Sequence, residues 1–139
     1  MFSTSFSRKT RDNAEDKLQE DCVDWLRRNY PGVPHMCGMT GALLRGGPRG
    51  WNKLCKRGAS AGFPDLFIFV AKYPAHGMAV EFKRAGAPGK RRGRLSGAQK
   101  AWLHSLETHG YATVVVRDLQ TFCQIVEEHL ANEVRVCAA

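Results

Sequence analysis

Gly62-Phe63-Pro64-Asp65-Leu66-Phe67-Ile68-Phe69-Val70 leads, after a short turn, into Met78-Ala79-Val80-Glu81-Phe82-Lys83. Leu66 to Val70 is a continuous apolar run entered from Pro64-Asp65, and it reads as a buried strand. Pro74 and Gly77 make the turn within Lys72–Gly77. Met78 to Lys83 reads as a second strand, with Met78, Val80 and Phe82 on one face and Ala79, Glu81 and Lys83 on the other. If the two strands are neighbours, Asp65 and Glu81 converge at one end of the sheet. Two close carboxylates repel, and burial worsens the conflict. A divalent cation resolves it: Mg²⁺ takes hard oxygen ligands at about 2.0–2.1 Å and keeps several waters. Such an ion activates water against a phosphodiester, and Lys83 would orient that water or offset phosphate charge. Taken alone, Glu-x-Lys is an ordinary strand edge and Asp65 a turn cap. The surroundings decide between the readings.

Outward from this centre, Asp12 to Asn29 is an amphipathic helix with Ala14, Leu18, Cys22, Trp25 and Leu26 on one face, stopped by Pro31-Gly32. Val33 to Cys37 reads as a short strand, and a short helix is expected near Trp51 to Arg57. Ser96 opens a helix to about His109, closed by Gly110. Tyr111 to Arg117 is a strand, and Asp118 caps a last helix to about Leu130 with Leu119, Phe122, Cys123, Val126 and Leu130 on one side. The order predicts an α/β sandwich around a small mixed sheet.

The 139 residues make one domain at roughly 100–200 residues each. The reading places an N-terminal arm over 1–11, the domain over 12–131 and a tail over 132–139. The arm is basic and Ser/Thr-rich, a flexible segment and not a secretory signal. No apolar run approaches the roughly 20 residues that cross a bilayer, so no membrane role is expected. Five cysteines without a Cys-x-x-Cys pair, and scattered histidines, give no zinc spacing. They read as reduced, mostly buried thiols of an intracellular protein.

The net charge is +8, and its distribution matters more. Between Trp25 and Leu106 stand 15 Lys or Arg against two acids, Asp65 and Glu81. A basic field attracts polyanions, nucleic acid above all. Arg45, Arg49, Lys53, Lys56 and Arg57 lie in one Gly-rich stretch, and Arg84, Lys90, Arg91, Arg92 and Arg94 in another, both read as mobile DNA-binding loops that order on contact. No base-reading element is visible, so backbone contacts should dominate.

Five pieces in order resemble the VRR-NUC (virus-type replication-repair nuclease) family of the PD-(D/E)xK nucleases: Glu15-x-x-x-Gln19 with Trp25-Leu26; Gly62-x-Pro64-Asp65-Leu66-Phe67; Glu81-Phe82-Lys83-Arg84; Leu95-Ser96-x-x-Gln99 with Trp102-Leu103; and Gly110-Tyr111 before the valine strand. The resemblance implies a restriction-endonuclease-like core and structure-selective DNA cleavage, including four-way (Holliday) junctions. It implies catalytic roles for Asp65, Glu81, Lys83, Glu15 and Gln99, and Mg²⁺, with Mn²⁺ able to substitute, held at Asp65, Glu81, Phe82 and Glu15. Free-standing members of this length are similar to phage-encoded nucleases, which implies action in the bacterial cytoplasm. Among Glu15, Asp16, Glu20 and Asp21, helical geometry puts Glu15 about 40° from the centre of the apolar arc and Glu20 roughly opposite. An inward acid fits a metal site, although an acid at a helix N-terminus is also favoured by the dipole. Gln99 equally completes a capping box with Ser96. The longer, more basic loop after Arg84 and the Gly-rich stretch after Gly38 depart from the family pattern and bear on the DNA substrate.

The rival readings are a nucleic-acid-binding module without catalysis and a subunit whose partner supplies specificity. The approximate two-fold symmetry of a junction suggests a homodimer with two active sites.

Overall fold

The computed structural model describes residues 14–38 and 47–133. The N-terminal arm, Arg45 and residues 134–139 of the tail lie outside the described residues. Eight elements follow in order: α1 (Ala14–Asn29), β1 (His35–Cys37), α2 (Gly47–Cys55), β2 (Leu66–Ile68), β3 (Met78–Phe82), α3 (Gly97–Thr108), β4 (Ala112–Val116) and α4 (Leu119–His129). The strands form a mixed sheet in the order β1-β2-β3-β4. β1–β2 and β2–β3 are antiparallel and β3–β4 parallel, so α3 is the crossover that a parallel pair requires.

The register sorts the strand side chains. Leu66 pairs with Val80, and Val80 with Val114. Leu66, Ile68, Met78, Val80, Phe82 and Val116 join Cys22 and Leu26 of α1 and Phe122, Val126 and Leu130 of α4 in one buried core. Phe67, Ala79 and Glu81 alternate to the opposite face, where α3 packs beside β4. Both caps expected from sequence are present. Ser96 Oγ accepts from Gln99 N, and the Asp118 carboxylate accepts from Thr121 N.

Several expectations change. The Leu66–Val70 run is a strand only to Ile68, and Phe69 is 55% exposed. The ladder ends there: Phe69 N turns to Pro34 O, and its ring leans on Phe67 at 4.8 Å. Leu119, first in α4, lies outside the core at 38% exposure. The second helix spans Gly47–Cys55 instead of Trp51–Arg57. Among the described residues the thiols are not mostly buried: Cys22 is, Cys123 is half-buried, and Cys37 and Cys55 are exposed, while Cys137 lies outside the described residues. The loop after Arg84 has a defined form. Ala87 and Lys90 exchange main-chain hydrogen bonds, and Gly93 N donates to Arg84 O at 3.2 Å.

Candidate active site

The pairing of β2 with β3 sets the site. Leu66 opposite Val80 brings Asp65 to the end of β3, where its Oδ2 accepts from Phe82 N at 2.8 Å. The Asp65 carbonyl is also held, by Gly38 N at 2.7 Å and by Gln19 Nε2 of α1 at 3.0 Å. Gly38 has no room for a side chain, since a Cβ would fall 1.9 Å from Pro64 O. The Pro64-Asp65 turn is therefore fixed from three sides.

Glu81 belongs to a strand whose five residues are all buried, and it is 1% exposed. Lys83 Nζ lies 2.9 Å from Glu81 Oε1, which also accepts from Gln99 Nε2 of α3. Glu81 Oε2 is buried and has no hydrogen-bond partner. Burial first, then the charge of Asp65, pushes the Glu81 carboxyl up to about 7. Burial raises Asp65 as well, opposed by the Phe82 amide and Lys83. The two carboxyl groups lie close enough to share a proton, which adds to the rise at Glu81 and offsets part of that at Asp65; with both ionised, the buried Glu81 Oε2 is left without a donor.

Gln99 does two things at once. Its Oε1 accepts from Ser96 N, completing the capping box, while its Nε2 reaches Glu81. The two readings left open by sequence are thus compatible: the cap fixes the rotamer that points the amide at the acid.

Glu15 also reaches this corner, from α1. Its Oε1 accepts from Arg84 N at 3.1 Å, and its Oε2 stands 4.0 Å from Lys83 Nζ. Among the described residues, no three His, Cys, Asp or Glu side chains converge as ligands of one ion. The structure therefore brings Asp65 and Glu81 together, with Glu15 across the lysine ammonium. Glu20 is exposed, as the helical geometry requires.

The donor chemistry suits a hard divalent cation. Two carboxylates in one corner and an unpartnered buried oxygen form a group that is poorly satisfied by itself. Exposed cations stand on and after α2 (Arg49, Lys53, Lys56 and Arg57) and in the loop after β3 (Lys90, Arg91, Arg92 and Arg94), with Arg84 half-buried. Sequence reasoning missed Arg117, whose Nη1 donates to Arg84 O at 3.1 Å and Gly93 O at 2.7 Å. Nothing in the valine strand marks that residue for such a task; a charged residue ending an apolar strand is the one available signal.

A sandwich of this topology, with an acid at a strand entrance, Glu-x-Lys on its neighbour and a glutamine from the crossover helix, defines a nuclease fold of the PD-(D/E)xK kind. The VRR-NUC domain matches residues 13–118, and the chain belongs to that family of nucleases. A solved structure described as a VRR_NUC domain protein is similar in fold, with a TM-score of 0.66 and 24% identity over 87% of this chain and 91% of that one. No curated protein matches the chain.

Proposed function

We propose that this nuclease is a Mg²⁺-dependent endonuclease that hydrolyses phosphodiester bonds of DNA, with branched DNA such as four-way junctions as its substrate. The observation that carries the reading is the buried, unpartnered Oε2 of Glu81 beside Asp65. Asp65 and Glu81 would hold the ion, with the Phe82 carbonyl as a further oxygen ligand. When bound, such an ion supplies Lewis-acid polarisation and a water of lowered pKa.

The chain's own groups do the rest. Lys83, 7% exposed, is held at Glu81 and places an ammonium where phosphate charge develops. Glu15 steadies that ammonium from the far side, through Lys83 more than as a third ligand. Gln99 fixes one oxygen of Glu81 and leaves the other to the ion. Cations on α2 and in the loop after β3 take the backbone without reading bases.

The test is a panel of junction, flap, duplex and single-stranded DNA with Mg²⁺, Mn²⁺ or EDTA. Cleavage that needs the metal and is lost in Asp65→Ala and Lys83→Ala, while binding persists, is the expected result. Binding without metal-dependent cleavage on any substrate would establish a binding module instead. We further propose a homodimer, because paired cuts across a two-fold junction need two sites. Paired cuts by a species whose light-scattering mass equals one chain would remove that idea.

A further inference from the structure

The basic loop between β3 and α3 is closed at its neck. It leaves the sheet at Arg84 and returns at Gly93, and Gly93 N donates to Arg84 O at 3.2 Å. Arg117, at the end of β4, bridges both carbonyls through Nη1. A Cβ on Gly93 would fall 2.9 Å from Glu15 Oε1 and 3.2 Å from Arg84 N, so α1 presses on the neck from the other side.

Beside this neck lies a cavity of about 300 Å³, lined by Arg84, Lys90 and Arg117 together with Ala14, Leu18 and Ala87. Three cations thus meet apolar walls, and no carboxylate among the described residues lines the space. The space is open, with Ala14, Ala87 and Lys90 exposed, so an anion can reach these cations from solvent. Glu15 is the nearby acid: its Oε1 accepts from Arg84 N, its Oε2 faces Lys83, and its charge also favours the charged form of Arg117. Arg92 adds to the crowding: burial first, and then the Arg92 charge, lowers the pKa of Arg117. The two main-chain bonds fix the Arg117 guanidinium, so its repulsion with Arg92, offset in part by Glu15, is built in. An anion relieves it, and the space has room for a phosphodiester with its bound waters.

We propose that this cavity is a phosphate subsite, occupied by a phosphodiester of the bound DNA strand other than the one cleaved. The proposal rests on the nuclease reading above. The exposed Arg91, Arg92 and Arg94 continue the positive surface along the loop, which suits a strand that runs on past the cavity and not one that ends in it. Glu15 joins the neck to Lys83, so a filled subsite sits one side chain away from the proposed catalytic lysine.

Binding of the full chain to a labelled four-way junction, in EDTA so that nothing is cut, tests the subsite. Arg117→Gln and Lys90→Gln should each weaken binding by roughly three- to tenfold and reduce the salt slope by about one unit. Lys90 is exposed and its side chain takes no part in the neck, so Lys90→Gln keeps the test valid if Arg117→Gln fails to fold. Unchanged affinity and slope in folded Lys90→Gln overturn the proposal. Single strands with a 5′-phosphate or a 5′-hydroxyl separate an internal phosphodiester from a strand end. Equal binding is expected, and a strong preference for the 5′-phosphate that Lys90→Gln abolishes would overturn the assignment to an internal phosphate. If the wild type binds DNA but never cuts it with Mg²⁺, the nuclease reading falls while these binding measurements still decide the subsite.

Discussion

Glu81 sits under opposed demands. Burial and Asp65 favour its neutral form, whereas Lys83 favours its charge. Its folded pKa, about 7, exceeds the ordinary 4.5, so the native protein keeps a proton that the unfolded chain has already released between those values. Without metal, this stability is present below about pH 4.5, is lost as pH rises through about 7, and stays lost above. Melting in EDTA should therefore occur several degrees lower at about pH 8 than at about pH 5 on this account. Mg²⁺ at the higher pH should recover much of the loss, and an unchanged melting temperature on adding Mg²⁺ would count against the metal site. Glu81→Gln offers an amide donor toward Asp65, so it should melt a few degrees above the wild type in EDTA at pH 8 and lose the response to Mg²⁺. Its cleavage should fall by at least about 100-fold. That Glu81 shares a sheet face with Lys83 was legible in Glu-x-Lys, but its complete burial was not, because period-2 alternation gives the face and not what covers it.

The third helix couples fold to site. Its capping box and its contact with Glu81 run through one side chain, Gln99, so the two contributions can be separated by substitution. Ser96→Ala removes the cap and leaves Gln99 in place; it should cost about 1 kcal/mol by urea titration, with cleavage little changed. Gln99→Ala should cost a similar amount and also slow cleavage by roughly 10- to 100-fold. Equal cleavage rates in the two variants would reduce the glutamine to a cap. The helix is seated by Gly62, which has φ +82° and whose Cβ would fall 2.5 Å from the Ala98 carbonyl carbon. Gly62→Ala should cost on the order of 2–4 kcal/mol, because both the backbone conformation and the close approach are lost. Sequence could name the cap from four residues, since capping is local. It could not show that Gly62 is the floor on which that cap rests, because the two meet only when β2 and α3 are assembled.

At the scale of the molecule, the 15 Lys or Arg against two acids between Trp25 and Leu106 set the expected response to salt. Binding should weaken steeply with salt and show little base preference, since the expected contacts are to phosphates. Arg91→Ala with Arg92→Ala should make the slope of log affinity against log salt shallower by up to about two units, as each lost phosphate contact removes roughly 0.9. Fluorescence anisotropy between about 50 and 200 mM salt measures it, and an unchanged slope would place both arginines off the DNA. None of the helices among the described residues is long and apolar enough to cross a membrane.

The amino-acid order alone determined the element types and the two caps, and it singled out Asp65, Glu81 and Lys83 as the set proposed here to react. Those features are written in neighbouring residues: alternation, apolar runs and cap spacings act over a few positions. Tertiary structure decided that Glu81 keeps one oxygen unpartnered, that Glu15 stands across Lys83, and that Arg117 clasps the neck of the basic loop. Each joins residues far apart in the chain, and strand register with helix packing sets the ångström-scale separations that govern charge and hydrogen bonding.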